Sequence, residues 1–437
     1  MAIESNDAWL TGSILDHHGV SGPDLLTRVD GFWEWVELRK DHEVWPYTRA
    51  HLTAPQRYCS VEDQRGHSYA GVNFASQDYL SLASHEEVKA AATAAIRDFG
   101  VHSAGSSALL GGTTLSRQLE RDLADFLQAE HIALFPTGWA AGFGTITGLV
   151  RRDDWVVLDR LAHACLQTGA AAATSKVSKF AHNDSMSLEQ ELTRIRVRAS
   201  DAHNAILVVT EGLFSMDSDC PDVSKIVEIC KNFGATLMVD VAHDLGAMGV
   251  DGTGVLGIQN MLGQVDLVMG SFSKTFASNG GFVACKKPAV IEYLRSYSSP
   301  QTFSNALSPV QAAVVCKALE IVRSEEGLRR RNQLMRNILV LRGALEREGL
   351  QVLGEPSPIV PVVGGNEGML RVASRKLRKL GVHANLVEFP AVSRESARFR
   401  MQVMANHSIE DTEVAAKATA QAIAQARSEI EITREEI

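Results

Sequence analysis

From about Gly71 onward the chain alternates short apolar runs, bounded by polar turns, with amphipathic stretches of helical length. That alternation predicts an α/β fold with a mainly parallel sheet. The clearest strands are HIALF (His131 to Phe135), WVVLD (Trp155 to Asp159), AILVVTE (Ala205 to Glu211), TLMVD (Thr236 to Asp240) and DLVMG (Asp266 to Gly270). Several end in a polar residue or glycine. Ligands of open α/β sheets bind outside the carboxyl ends of the strands, so Glu211, Asp240 and the segment after Gly270 are expected to converge on one crevice.

Around this core the sequence suggests three parts. Residues 1–60 are irregular, rich in Trp, His and Pro, with one helix around GFWEWVELRKDHEV, and read as an N-terminal arm. Residues 61–303 form the large domain. Residues 304–437 form a smaller C-terminal α+β domain: Ser308 and Pro309 cap a helix through Arg323, a second helical stretch runs from Glu326 to Gly349, SPIVPVVGG and FRMQVM are strand-like, and a long helix follows Ile409. The final EITREEI is expected to be frayed.

A chain of 437 residues with 45% hydrophobic and 22% charged residues is an ordinary globular protein of enzyme size. A net charge of −9 with both signs interspersed gives no footprint for nucleic acid or an anionic membrane. The first residues lack the basic and apolar regions of a signal peptide, and no run approaches the roughly 20 apolar residues of a membrane span. A cytoplasmic protein acting on small molecules is the expectation. The six cysteines form no CxxC pair, which argues against a zinc site or a disulfide framework.

The chemistry centres on Gly270-Ser271-Phe272-Ser273-Lys274-Thr275-Phe276, which follows a strand and precedes a Gly-rich turn, SNGG. Lysine forms Schiff bases when partial burial makes its neutral amine available. A surface lysine would look much the same, and Ser-x-x-Lys also occurs in penicillin-binding proteins, whose companion Lys-Thr-Gly and Ser-Asp-Asn elements are absent here. Corroboration comes from Asp240-Val241-Ala242-His243 at the end of the preceding strand. A pyridoxal phosphate (PLP) ring acts as an electron sink when its pyridine nitrogen stays protonated, and a buried carboxylate such as Asp240 would keep that proton in place. His243 could hydrogen-bond the cofactor's phenolic oxygen. Thr137-Gly138-Trp139-Ala140 opens a helix after a strand and could receive a phosphate, and His163 could stack on the ring. Taken singly, each has a plainer reading: a helix cap for Asp240, a core group for either histidine.

Together these motifs make the chain resemble the α-oxoamine synthase family of fold-type I PLP enzymes. The likeness runs from about Gly71 to Ile409 through NFASQDYLSLASH, GTTLSRQLERDLADFL, LFPTGWAAG, DRLAHACL, FAHND, TEGLFSMDSD, DVAHDLGAMG, GSFSKTFASNGGF, TFSNALSP and FRMQVMANHSIED, in order. It implies the PLP-dependent transferase fold, type I: a large PLP-binding domain with a mainly parallel sheet and a smaller C-terminal α+β domain. It further implies that Lys274 is the Schiff-base lysine, His163 the stacking ring and Asp240 the partner of the pyridine nitrogen. Ser215 and His243 would lie on the phenolic-oxygen side. Gly138, Trp139 and Ser271 would hold the phosphate, with Ser304 reaching it from the other subunit of a homodimer. Arg400 would grip the amino-acid carboxylate. The implied reaction is decarboxylative condensation of a small α-amino acid (glycine, L-alanine or L-serine) with an acyl-CoA or acyl-carrier-protein thioester. An aminotransferase or aldolase on the same fold is the nearest rival, and a silent partner subunit a remoter one.

The sequence departs from the family pattern at Gln77, Ser107, Gly142, Val241 and Asp244, and most of these positions are expected to face substrate or its surroundings. The departures suggest a specialised member, with a lean toward L-serine or L-alanine and a medium or long acyl chain. Asp98-Phe99-Gly100 lacks the companions of a kinase signature, Asn406-His407-Ser408 is a sequon without a role in a cytoplasmic chain, and no GxGxxG follows a strand.

Overall fold

The computed structural model describes residues 8–198 and 204–435. The opening MAIESND and the last two residues of EITREEI lie outside them, so the expectations for both ends are addressed only in part. The described part of EITREEI continues the final helix, Ile409–Glu435.

The described residues form two compact units. One comprises Gln77–Ser215 and Asp219–Asn332; the other comprises Met1–Ser76, Met216–Ser218 and Gln333–Ile437. Each carries one seven-stranded sheet. In the first, larger unit the strand order is His131–Phe135, Gly281–Cys285, Leu267–Ser271, Thr236–Asp240, Ile206–Glu211, Trp155–Asp159, Val177–Phe180. All neighbours are parallel except Gly281–Cys285, which runs antiparallel to both of its neighbours. Helices such as Gly138–Leu149 and Ala164–Ala173 cover one face through Phe135, Ile146, Leu158, Leu166, Val209 and Met269, all buried. Because both faces are covered, the central strands are apolar at nearly every position rather than at alternate ones.

The second, smaller unit differs from its expected form. Within the stretch expected to form an arm, Ala50–His51 and Tyr58–Glu62 are strands of its sheet. Burial alternates along Tyr58–Glu62, with Cys59 and Val61 inward, the period that a half-buried edge segment requires. The next strand, Ser68–Phe74, pairs in parallel with Val382–Val387, which neighbours Ala397–Gln402. Gly71 permits the start of that pairing: a Cβ there would lie 2.2 Å from the Gly381 carbonyl oxygen. The division between units falls after Asn332 rather than near Ser304. The helix Pro309–Arg323 packs on Glu86–Phe99 and Thr114–Leu127, so its apolar face is spent within the larger unit.

Candidate active site

The carboxyl ends of the parallel strands carry the buried polar residues Asp159, Glu211, Asp240 and Ser271. Glu211 and Asp240 end adjacent strands and are register partners, with relative exposures of only 4% and 5%. Burial disfavours both charges and raises both pKa values. Glu211 rises well above the usual carboxylate range, because burial and the neighbouring Asp240 act in the same direction. For Asp240 burial is opposed by the positive charge of Lys274, then by His163, then by the Ala242 N–H, which donates to Oδ1 at 2.9 Å. Two adjacent buried carboxyls cannot both ionise cheaply, and Lys274 and His163 favour charge on Asp240.

Lys274 owes its position to the turn after Leu267–Ser271. Phe272, Thr275 and Phe276 are buried, with the two phenyl rings packed edge to face at 5.9 Å, which leaves Ser273 exposed and Lys274 half-buried. The turn is closed by the Phe272 N–H donating to the Gly280 carbonyl at 3.0 Å. Gly280 has φ +115°, so glycine is needed there.

His163 is exposed and caps the helix Ala164–Ala173, its Nδ1 accepting from the Cys165 N–H at 3.3 Å. Its backbone N–H donates to Glu211 Oε1 at 2.6 Å. The ring face is thus held at the strand ends without being enclosed. His243, by contrast, is buried, with Nδ1 2.9 Å from the Tyr79 hydroxyl. Gly138 begins the helix Gly138–Leu149 directly against Ser271, where an added Cβ would lie 2.4 Å from the serine Oγ. Backbone N–H groups at this helix start, beside the Ser271 and Ser273 hydroxyls 2.6 Å apart, are suited to an oxyanion. The Trp139 side chain points elsewhere and stacks on Phe143 at 4.9 Å. Ser215 is half-buried in the loop after Ile206–Glu211, and Ser304 half-buried after the short helix Ser299–Thr302.

Arg400 belongs to the smaller unit. It lies in the strand Ala397–Gln402, at the limit of burial, with Nη1 4.0 Å from Met216 Sδ.

Three of the departures from the family pattern turn out to be interior. Val241 is fully buried. A Cβ on Gly142 would meet Cys165 Sγ at 2.7 Å and Met269 Cε at 3.0 Å, so this glycine serves packing between helix and sheet. Asp244 is buried, with Oδ2 accepting from the Val255 N–H at 2.7 Å. Its carboxylate occupies the space beside Gly212 and Gly254, where added Cβ atoms would lie 2.8 Å and 2.4 Å from Oδ2. Sequence reasoning also left out Tyr79, His182 and Asp219, and placed Glu211 in the crevice without a role. FAHND was the available signal for His182.

A buried strand-end carboxylate under the field of a lysine, an exposed imidazole face and a helix start beside two serines are what a planar, phosphate-bearing pyridinium would need. The fold and these groups define a PLP-dependent transferase of fold type I.

Comparison with known proteins agrees. Residues 70–418 match the family model for aminotransferases of class I and II. The 8-amino-7-oxononanoate synthase of Klebsiella pneumoniae is 36% identical over 341 residues, 78% of this chain and 86% of that protein. The corresponding synthase of Thermoanaerobacter pseudethanolicus is 33% identical over 347 residues, covering 79% and 86%. Among solved structures, serine palmitoyltransferase from S. paucimobilis with bound PLP–myriocin aldimine superposes with a TM-score of 0.85 at 26% identity, covering 93% of this chain and all (100%) of that one. The Sphingomonas wittichii serine palmitoyltransferase gives the same TM-score, 0.85, at 26% identity over 93% and 99%. The chain belongs to the class I and II aminotransferase family, in its α-oxoamine synthase group. Its cofactor is PLP, and its reaction class is the C-acyl transfer of that group.

Proposed function

We propose that this enzyme condenses a small α-amino acid, glycine, L-alanine or L-serine, with an acyl-CoA or acyl-carrier-protein thioester, giving an α-amino ketone, CO2 and free thiol. The observation that carries the reading is the Asp240, Lys274 and His163 group at the carboxyl ends of one sheet, with Lys274 and His163 both favouring charge on the buried Asp240. Bound PLP supplies the electron sink that makes carbanion chemistry at the amino-acid α-carbon feasible. Lys274 attaches the cofactor, and its Nζ is the base that moves the substrate α-proton. Asp240, whose charge Lys274 and His163 favour against burial, would hold a proton on the pyridine nitrogen. His163 packs on the ring face, while His243, oriented by Tyr79, and Ser215 serve its phenolic-oxygen side. The Gly138 and Trp139 N–H groups and Ser271 hold the phosphate. Arg400 takes the amino-acid carboxylate through its planar guanidinium.

We place the working enzyme as a homodimer in which Ser304 reaches the phosphate across the interface. In support, Phe303, next to it, is 91% exposed, and Leu109 and Leu110 are 83% and 90% exposed. The Ser106–Asn305 bridge and the Ala108 N–H to Gln301 carbonyl bond join the two segments into one apolar patch that a second copy would cover.

The test is thiol release from a panel of acyl-CoAs and acyl-carrier proteins with each of the three amino acids on PLP-loaded protein. Release dependent on one amino acid, and lost in Lys274→Ala, is expected. Amino-donor conversion of the cofactor to pyridoxamine phosphate without thiol release would instead mean an aminotransferase.

A further inference from the structure

Within the larger unit, His182 links three of the loops that leave the carboxyl ends of the sheet. Its Nδ1 is 2.9 Å from Asp159 Oδ1 and its Nε2 3.0 Å from Asp219 Oδ2, so the ring bridges two carboxylates. Asp159 is fully buried at the end of Trp155–Asp159, and it also accepts from the Leu161 N–H and the Asn183 N–H, both at 2.8 Å. The first of these bonds shapes the loop that ends at His163. Asp219 accepts from Asn183 Nδ2 at 3.0 Å, and its carbonyl takes the Phe214 N–H at 3.0 Å, next to Ser215. The Phe214 ring packs edge-on against His182 at 4.5 Å. Between two carboxylates the imidazolium is strongly favoured: despite partial burial, the hydrogen bonds it donates to Asp159 and Asp219 push the His182 pKa up to about 10.

We propose that His182 is a positioning residue for cofactor binding: as a cation bridging Asp159 and Asp219 it fixes, relative to each other, the loop carrying His163 and the loop carrying Ser215. The bridge acts on both faces of the cofactor position at once, on the ring-stacking side through Leu161 and on the phenolic-oxygen side through Phe214. The assignment rests on the roles given above to His163 and Ser215, but not on the identity of either substrate.

The experiment uses PLP-loaded protein and the variants His182→Gln, which removes the bridging cation, and Asp219→Asn, which keeps the residue's shape while removing one of the two bridged carboxylates. Both are expected to weaken PLP binding, to change the visible circular dichroism of the bound cofactor, and to lower kcat by about 10- to 100-fold, the scale of a misplacement near 1 Å. The double variant should be no worse than the worse single one, because each change breaks the same bridge. Asp219→Asn decides the matter if His182→Gln fails to fold. Folded variants whose PLP affinity, cofactor dichroism and kcat stay within about two-fold of the parent would overturn the proposal. Failure of thiol release in the parent, with the dichroism still altered in the variants, would count against the substrate reading alone.

Discussion

At the scale of single residues, electrostatics at the strand ends sets the account. If Asp240 holds the proton on the pyridine nitrogen as proposed, Asp240→Asn, which preserves shape, is expected to lower turnover by at least about 10²-fold with the fold and PLP content retained. Steady-state kinetics on dichroism-matched protein check this. Asp244 gives a pH-dependent prediction. Burial pushes its pKa up to about 7, opposed by the Val255 N–H. The folded value lies above the roughly 3.9 of an unfolded aspartate, so the folded state holds the proton more tightly. The resulting stability is fully present below about pH 4 and is lost as pH rises through 7, a difference on the order of 4 kcal/mol by pH 8. Asp244→Asn is therefore expected to raise the melting temperature at pH 8 more than at pH 5. Denaturation at the two values measures it, and an equal shift at both would contradict it.

At the scale of elements, two glycines set how closely the helix Gly138–Leu149 approaches its neighbours. Gly142→Asn restores the residue common in the family, yet its Cβ would press on Cys165 and Met269, so a loss of about 1–3 kcal/mol in a urea titration is expected. Gly138→Ala, pushed against Ser271, should chiefly weaken PLP retention, seen as faster cofactor loss on dialysis. The parallel strands ending at Asp159, Glu211 and Asp240 were legible because uninterrupted apolar runs meet a polar stop. Val177–Phe180 was not, since only Phe180 of its four residues is buried and the segment carries little pattern. Gly281–Cys285 is apolar throughout, but it follows so closely on the lysine turn that it reads as part of it. The gathering of Glu211, Asp240 and Lys274 near the carboxyl ends of the strands was legible from where the apolar runs stop. The Glu211 contact with His163 was not, because it joins residues 48 apart in sequence and exists only through sheet register. The same gap explains the misplaced substitutions: Gly142, Val241 and Asp244 look like site variation in sequence, and only packing shows them to be interior.

For the whole molecule, the described residues up to Ser76 and those from Gln333 onward belong to one unit. The N-terminal strands complete a sheet built otherwise from residues 351–402, so a truncation before Phe74 would remove sheet partners rather than a loose arm. Deleting residues 1–60 is expected to give insoluble protein, checked by soluble yield. No helix among the described residues is long and apolar enough to cross a membrane. If the site is shared across a dimer, Ser304→Ala should weaken PLP binding, and PLP content should fall on dilution in step with dissociation measured by sedimentation. The central claim is that Lys274 attaches the cofactor. Borohydride reduction of the PLP-loaded enzyme followed by peptide mapping tests it most directly: the account predicts the phosphopyridoxyl group on the peptide containing Lys274 and none in Lys274→Ala, whereas a label on another lysine, or no label at all, would contradict it.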